Sequence, residues 1–214
     1  MNTAGNTFSA QTERIRKDLK AMAAFTASPG RGMTRYSFSE EDRKTREYIR
    51  ARMEEAGLST FEDAAGSLFG RRAGKRADAP AIMIGSHFDS VKNGGDFDGP
   101  AGVVMGLEIA RVLHDNGIET EYPLEFAALV EEEGARFGGG LYGSRAMTGR
   151  VNREQLDTFK DRDGISAAEA MRAFDFDPDR IAEAIRPKGS LKAFIELHIE
   201  QGPLLDAAGA DVGV

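Results

Sequence analysis

The sequence predicts an α/β fold, with three layers built on one mostly parallel sheet that carries helices on both faces. One observation behind this is the order of an apolar strand at 81–84, an amphipathic helix at 99–114 and a second apolar strand at 122–130. Strand, helix, strand is a βαβ unit, which is right-handed and parallel in nearly all known cases. The other is that the strands 81–84, 122–130 and 193–199 each deliver metal-binding types of side chain at or just past their ends. In open parallel sheets, ligands sit outside the carboxyl ends of the strands.

Taken in order, Ile15, Leu19 and Met22 recur at helical spacing and predict a helix from Ser9 to Phe25. ASPGRGMTRYSFS is rich in Gly, Pro and Ser and reads as a loop. Ser39 is an N-cap with Asp42 three residues on, and Tyr48, Ile49 and Met53 line one face of a helix that Gly57 ends. Residues 58–72 read as short strands broken at Gly66 and Gly70, and RRAGKRADAP as a solvated polar connection. Pro80 and Gly85 bound the buried strand 81–84. Val103, Leu107 and Ala110 form the inward stripe of the next helix, which stops near Asn116-Gly117. Residues 151–186 read as helical and irregular packing without evident chemistry. The strand Ala193 to Ile199 puts Glu196 and His198 on one side, and ADVGV at the end opens a further strand.

Composition narrows the function. At 214 residues the chain can bury one substantial core, and 41% hydrophobic with 29% charged residues is ordinary for a soluble globular protein. A net charge of −7 argues against nucleic acid as a partner, which would draw on clustered Lys and Arg. The absence of cysteine excludes a disulfide scaffold and thiolate metal ligation and fits a reducing compartment. No apolar signal region opens the chain and no run approaches the ~20 apolar residues of a membrane span. The expectation is a cytoplasmic protein with no membrane partner.

The chemistry concentrates in IGSHFDSVKNGGDFDGPAG, Ile84 to Gly102. His87 and Asp98 in a glycine-rich loop that leads into a helix are a metal-site layout, and imidazole with carboxylate suits zinc, manganese or nickel. Asp89 is placed to fix the His87 tautomer. Glu131 to Glu133 follow one strand and His198 lies near the end of another. Two histidines and at least two carboxylates at one edge can hold two divalent ions with Asp98 as the bridge, a type of site that activates water for hydrolysis. Neighbouring glutamates can divide metal binding and general base between them. Each residue alone has an ordinary reading: a histidine in packing, acids at a helix start, Asp98-Gly99 as a turn. His114, near a helix C-terminus, keeps that ordinary reading. Joint placement at one sheet edge argues for a site in the others.

Three blocks, GSHFDSVKNGGDFDGPAGV at 85–103, VEEEGARFGGGLYGSR at 130–145 and ELHIEQGPLLD at 196–206, closely resemble the amidase and carbamoylase branch of the dinuclear zinc aminoacylase and carboxypeptidase superfamily. That branch holds N-carbamoyl-L-amino-acid hydrolases, allantoate amidohydrolases and β-ureidopropionases. The resemblance implies a zinc-exopeptidase-like catalytic domain with two divalent metals, zinc foremost, or manganese, nickel or cobalt. It implies His87, Asp98 and His198 as ligands of one metal, Asp98 bridging to a second that Glu133 also binds, Glu132 as general base, Asp89 supporting His87, and Gln201 contacting substrate. The implied reaction is attack of an activated water on a carbamoyl or amide carbonyl of a small molecule. With an N-carbamoyl amino acid, the products are the amino acid, ammonia and carbon dioxide. Relatives are about twice as long and homodimeric. Residues 1–214 are therefore expected to be the N-terminal part of the catalytic domain, without the lid and dimerisation domain and without a further histidine ligand of the second metal. On that count the chain should bind one metal better than two and leave a sheet edge exposed. A non-catalytic chain that keeps the fold and at most one metal is the competing reading, and a dipeptidase of the wider superfamily a third.

Overall fold

The structure, a computed structural model, describes residues 8–214. Helices α1 (Thr12–Ala23) and α2 (Glu40–Glu55) precede the hairpin β1 (Ser59–Glu62) and β2 (Leu68–Arg72). Then come β3 (Ala81–His87), α3 (Pro100–Asp115) and β4 (Leu124–Leu129), followed by α4 (Tyr142–Met147), α5 (Arg153–Thr158) and α6 (Ala167–Ala173). A 3₁₀ turn at Pro178–Ala184, β5 (Leu191–Ile195) and α7 (Leu204–Ala208) complete the order.

The sheet runs β1-β2-β4-β3-β5. β3 pairs in parallel with both β4 and β5, while β2 is antiparallel to β1 and to β4. Only β2 therefore runs against the other strands, and the predicted βαβ unit places β3 and β4 side by side. On one face, Ile49 and Met53 of α2 and Val103 and Leu107 of α3 pack with Leu68, Phe126 and Ala128. On the other, Phe69, Met83, Ala127 and Leu129 meet Met147 of α4. Alternation along β4 sends successive side chains to opposite faces, and every residue of that strand is buried.

Local signals account for the helix starts. The Ser39 hydroxyl accepts from the Asp42 backbone N–H, and the Asp42 carboxylate returns to the Phe38 N–H at 2.7 Å, closing a reciprocal cap on α2. α1 is held to α3 by Arg14, which reaches Glu108 at 2.9 Å, and by the Arg111–Asp18 pair.

Four boundaries differ from the sequence reading. Gly70 lies inside β2, because a Cβ there would come within 2.8 Å of Leu58 and 3.0 Å of Met53. The residue is small so that α2 can pack on the strand, and it does not break it. Gly85 likewise lies inside β3, where a Cβ would sit 2.0 Å from the Ala127 carbonyl oxygen. The strand therefore runs on until His87 is its last residue. β5 ends at Ile195, opposite Ile84, so Glu196 and His198 lie beyond the ladder. There the Glu196 carboxylate accepts from the Ser86 hydroxyl at 2.5 Å, and Gly102 in the first turn of α3 lies against the Leu197 carbonyl. The final ADVGV is not a strand, since α7 ends at Gly209 with φ 62° and no ladder follows.

Residues 151–186 form two capped helices and the 3₁₀ turn around Leu156, Met171 and Ile181. They dock on the rest of the chain through Phe174 against Phe38, with ring centres 5.7 Å apart, and through Asp161, which pairs with Arg136 at 3.2 Å.

Candidate metal centre

His87 is the last residue of β3 and is opposite Leu129 at the end of β4. This register sets the imidazole beside the loop that holds Glu131 to Glu133. Gly99, at φ 81°, opens α3 directly beneath the same ring, and a Cβ there would lie 2.4 Å from the His87 ring. Only a residue without a side chain lets the loop carry Asp98 this close to the histidine. His198 arrives from the segment past β5.

His87, Asp98 and His198 converge, each offering a ligand atom within 4.8 Å of the others. The two Nε2 atoms face each other at 3.3 Å. Asp98 Oδ1 lies 3.6 Å from that of His87 and 3.3 Å from that of His198. This oxygen is buried and has no hydrogen-bond partner. A buried carboxylate oxygen left bare between two imidazole nitrogens is costly unless a cation is there, so the donor set fits a divalent ion with nitrogen and oxygen preference. The other Asp98 oxygen accepts from the Gln201 amide at 2.8 Å. Gln201 thus touches the central carboxylate of the cluster, a contact its sequence position did not indicate.

Asp89 does more than steady the ring. Its carboxylate lies 3.6 Å from His87 Nδ1, and its backbone carbonyl is 3.2 Å from the same nitrogen. The two carboxylate oxygens also accept the backbone N–H groups of Glu132 and Glu133, at 3.0 and 3.1 Å. One buried side chain therefore positions a histidine on one strand end and two glutamates on the next. Burial by itself would lower the His87 pKa; the Asp89 carboxylate, with Glu132 and Glu133 behind it, outweighs that and carries it up to about 9.

The three glutamates have three environments. Glu131 is buried at φ 50° and turns inward, its carboxylate accepting the N–H groups of Arg136 and Phe137. They sit in a loop and do not start a helix, since α4 begins only at Tyr142. Glu132 points its carboxylate at His87 Nε2, 3.8 Å away. Burial raises its pKa, helped by Asp89 and Glu196 and opposed by His87 and His198. Glu133 lies outside the converging triad; burial and then Asp98 raise its pKa. His114 is exposed in the last turn of α3 beside Gly57, apart from the cluster.

Sequence reasoning missed Ser86, which anchors Glu196, and Arg136, whose guanidinium donates to the carbonyls of Ser37 and Phe38 and so fixes the far side of the glutamate loop. The strand alternation had set Glu196 beside His198 without a role. Nothing local marks Arg136, whose carbonyl partners Ser37 and Phe38 lie almost a hundred positions away.

The family model described as peptidase family M20/M25/M40 matches residues 83–214. An N-carbamoyl-L-amino-acid amidohydrolase of Paenarthrobacter aurescens is 49% identical over 96% of this chain and 50% of its own length. An N-carbamoyl-L-amino acid amidohydrolase of Geobacillus stearothermophilus is 46% identical over 95% and 50%. Among solved structures, a hydantoinase/carbamoylase family amidase from Burkholderia ambifaria superposes with a TM-score of 0.86 at 37% identity, covering 94% of this chain and 48% of that one. The chain spans about half the length of the curated relatives it matches. Among the described residues no helix is long and apolar enough to cross a membrane.

Proposed function

The chain belongs to peptidase family M20/M25/M40, and from that membership we propose that it carries the metal-holding part of an amidohydrolase acting on N-carbamoyl-L-amino acids. The observation that carries this reading is the bare, buried Asp98 oxygen between the Nε2 atoms of His87 and His198. These residues would hold one divalent ion, zinc foremost, and Asp98 with Glu133 would contribute to a second. A bound ion of this kind polarises a carbonyl and lowers the pKa of water.

Glu132 supplies the proton transfers. Its carboxylate faces the cluster, and its raised pKa suits a group that accepts a proton from water and passes it to the leaving nitrogen. Asp89 keeps the ring of His87 and the backbone of Glu132 and Glu133 in fixed relation, which is the orientation such chemistry needs. Water adds to the carbamoyl carbon and the bond to the amino-acid nitrogen breaks, releasing the amino acid and carbamate, which decomposes to ammonia and carbon dioxide. Gln201, now on Asp98, is the side chain we assign to substrate contact once an ion occupies that carboxylate. Residues 1–214 are taken as the N-terminal part of the catalytic domain, with a homodimer as the expected assembly of the whole protein.

A specific observation favours a second reading for this chain taken alone, in which it holds a single metal and does not turn over: Glu133 stands outside the triad. Calorimetric titration with zinc separates the two. One tight equivalent per chain is expected, and two tight equivalents would contradict the under-ligated second position. Ammonia release from N-carbamoyl-L-amino acids, with allantoate and a dipeptide as comparison substrates, tests the reaction. Glu132→Gln should lower it by about 10²–10⁴-fold, and a variant as active as the parent would remove Glu132 as the base.

A further inference from the structure

Arg35 is fully buried and heads the largest side chains with no solvent contact. Its guanidinium has no carboxylate within ion-pair distance among the described residues. Nε donates to the Phe88 carbonyl at 2.6 Å, and Nη1 donates to the carbonyls of Met22 and Phe25 at 2.9 and 3.2 Å. Nη2 is buried without a partner. Burying a cation without a counter-ion is unfavourable, and an apolar residue of similar volume would fill the space with less strain on the fold. Where a chain breaks such a rule, a functional constraint is the first explanation to test.

The guanidinium and its backbone grip one short segment from both sides. The Arg35 N–H donates to Ser90 Oγ at 2.9 Å, the Ser90 N–H returns to the Arg35 carbonyl at 3.0 Å, and Nε holds the Phe88 carbonyl. Between the two gripped residues lies Asp89, whose carboxylate carries the backbone of Glu132 and Glu133 and faces His87. We propose that Arg35 is a positioning residue: by clamping Phe88 and Ser90 it fixes Asp89, and through Asp89 it sets the geometry of the His87 imidazole and of the Glu132–Glu133 backbone. The inference rests on the metal-centre reading only for its effect on metal affinity; its effect on the glutamate loop stands without it.

The test uses Arg35→Lys, which keeps the charge but loses the fork that reaches several carbonyls at once, and Ser90→Ala, which leaves the guanidinium and removes one strap. Three quantities are read on each: zinc affinity, hydrogen exchange at the Glu132 and Glu133 amides, and urea unfolding. Arg35→Lys should weaken zinc binding by about 10–100-fold and speed exchange at those two amides by about tenfold or more relative to amides in the centres of β3 and β4. Ser90→Ala should move both in the same direction by less. Zinc affinity within twofold of the parent, with the two amides exchanging in step with global stability, would make Arg35 a packing residue and overturn the proposal. If the parent binds no zinc the metal reading fails, while selective exchange at Glu132 and Glu133 still decides the role of Arg35. Should Arg35→Lys not fold, Ser90→Ala carries the same decision.

Discussion

His87 and His198 bring their Nε2 atoms to 3.3 Å of each other, yet they stand in regions built on different principles. His87 ends a central strand paired on both sides, is about 1% exposed, and is braced by Asp89. His198 lies past the end of edge strand β5, about 30% exposed, in a run where Phe194, Ile195 and Leu197 are exposed as well. Half of the cluster is therefore preorganised by the sheet. The other half depends on a segment whose side chains have little to pack against.

This contrast can be broken at three levels. The largest expected difference is in hydrogen exchange: amides of Met83 to Ser86 should open only with global unfolding, whereas those of residues 197–201 should exchange at least ~10³-fold faster. Equal protection would mean that the outer segment is as firmly held as the core. Next, His87→Ala should destabilise the chain by about 2–4 kcal/mol, since it leaves a cavity and takes the imidazole away from the buried Asp89 carboxylate. His198→Ala should stay within about 0.5 kcal/mol, and on the proposed metal reading each should weaken zinc binding. Urea unfolding in chelator checks the pair, and equal losses would erase the distinction.

The smallest expected difference between the two histidines is in how stability depends on pH. The folded pKa of His87, about 9, is above its ordinary value of 6.5. The stability it contributes without metal is therefore complete below about pH 6.5 and is lost as pH rises through 9. The loss should be on the order of 1–3 kcal/mol. His87→Asn should remove that slope and His198→Asn should leave it, as urea midpoints at pH 6.5 and 9.5 would show.

Much of this was legible from residue order. Periodicity at Ile15, Leu19 and Met22 found α1, Ser39 and Asp42 marked the start of α2, and the strand-helix-strand run placed β3 beside β4. The strand before His87, the helix-opening loop with Asp98 and the strand expected to hold His198 pointed these residues to one sheet edge, where they converge although His198 lies past the end of β5. Glycines were harder to read. Gly70 and Gly85 looked like breaks because a lone glycine locally signals an end, whereas both sit inside strands where Leu58 and the Ala127 carbonyl come too close for a side chain. Similarly, alternation predicted that β5 would continue to Ile199, but the β3–β5 ladder stops at Ile84 and Ile195, and beyond it the contact is between side chains, Ser86 to Glu196.

The α/β class, the residue types that can hold a cation, and the sheet edge they gather at are written in periodicity and in side-chain chemistry along local stretches. The grip of Asp89 on the amides of Glu132 and Glu133, the rest of Gln201 on Asp98 and the hold of Arg35 on Phe88 and Ser90 come from the packed molecule alone. Those contacts join residues tens of positions apart, and their geometry depends on how sheet register and helix packing bring two loops together, which no local pattern encodes.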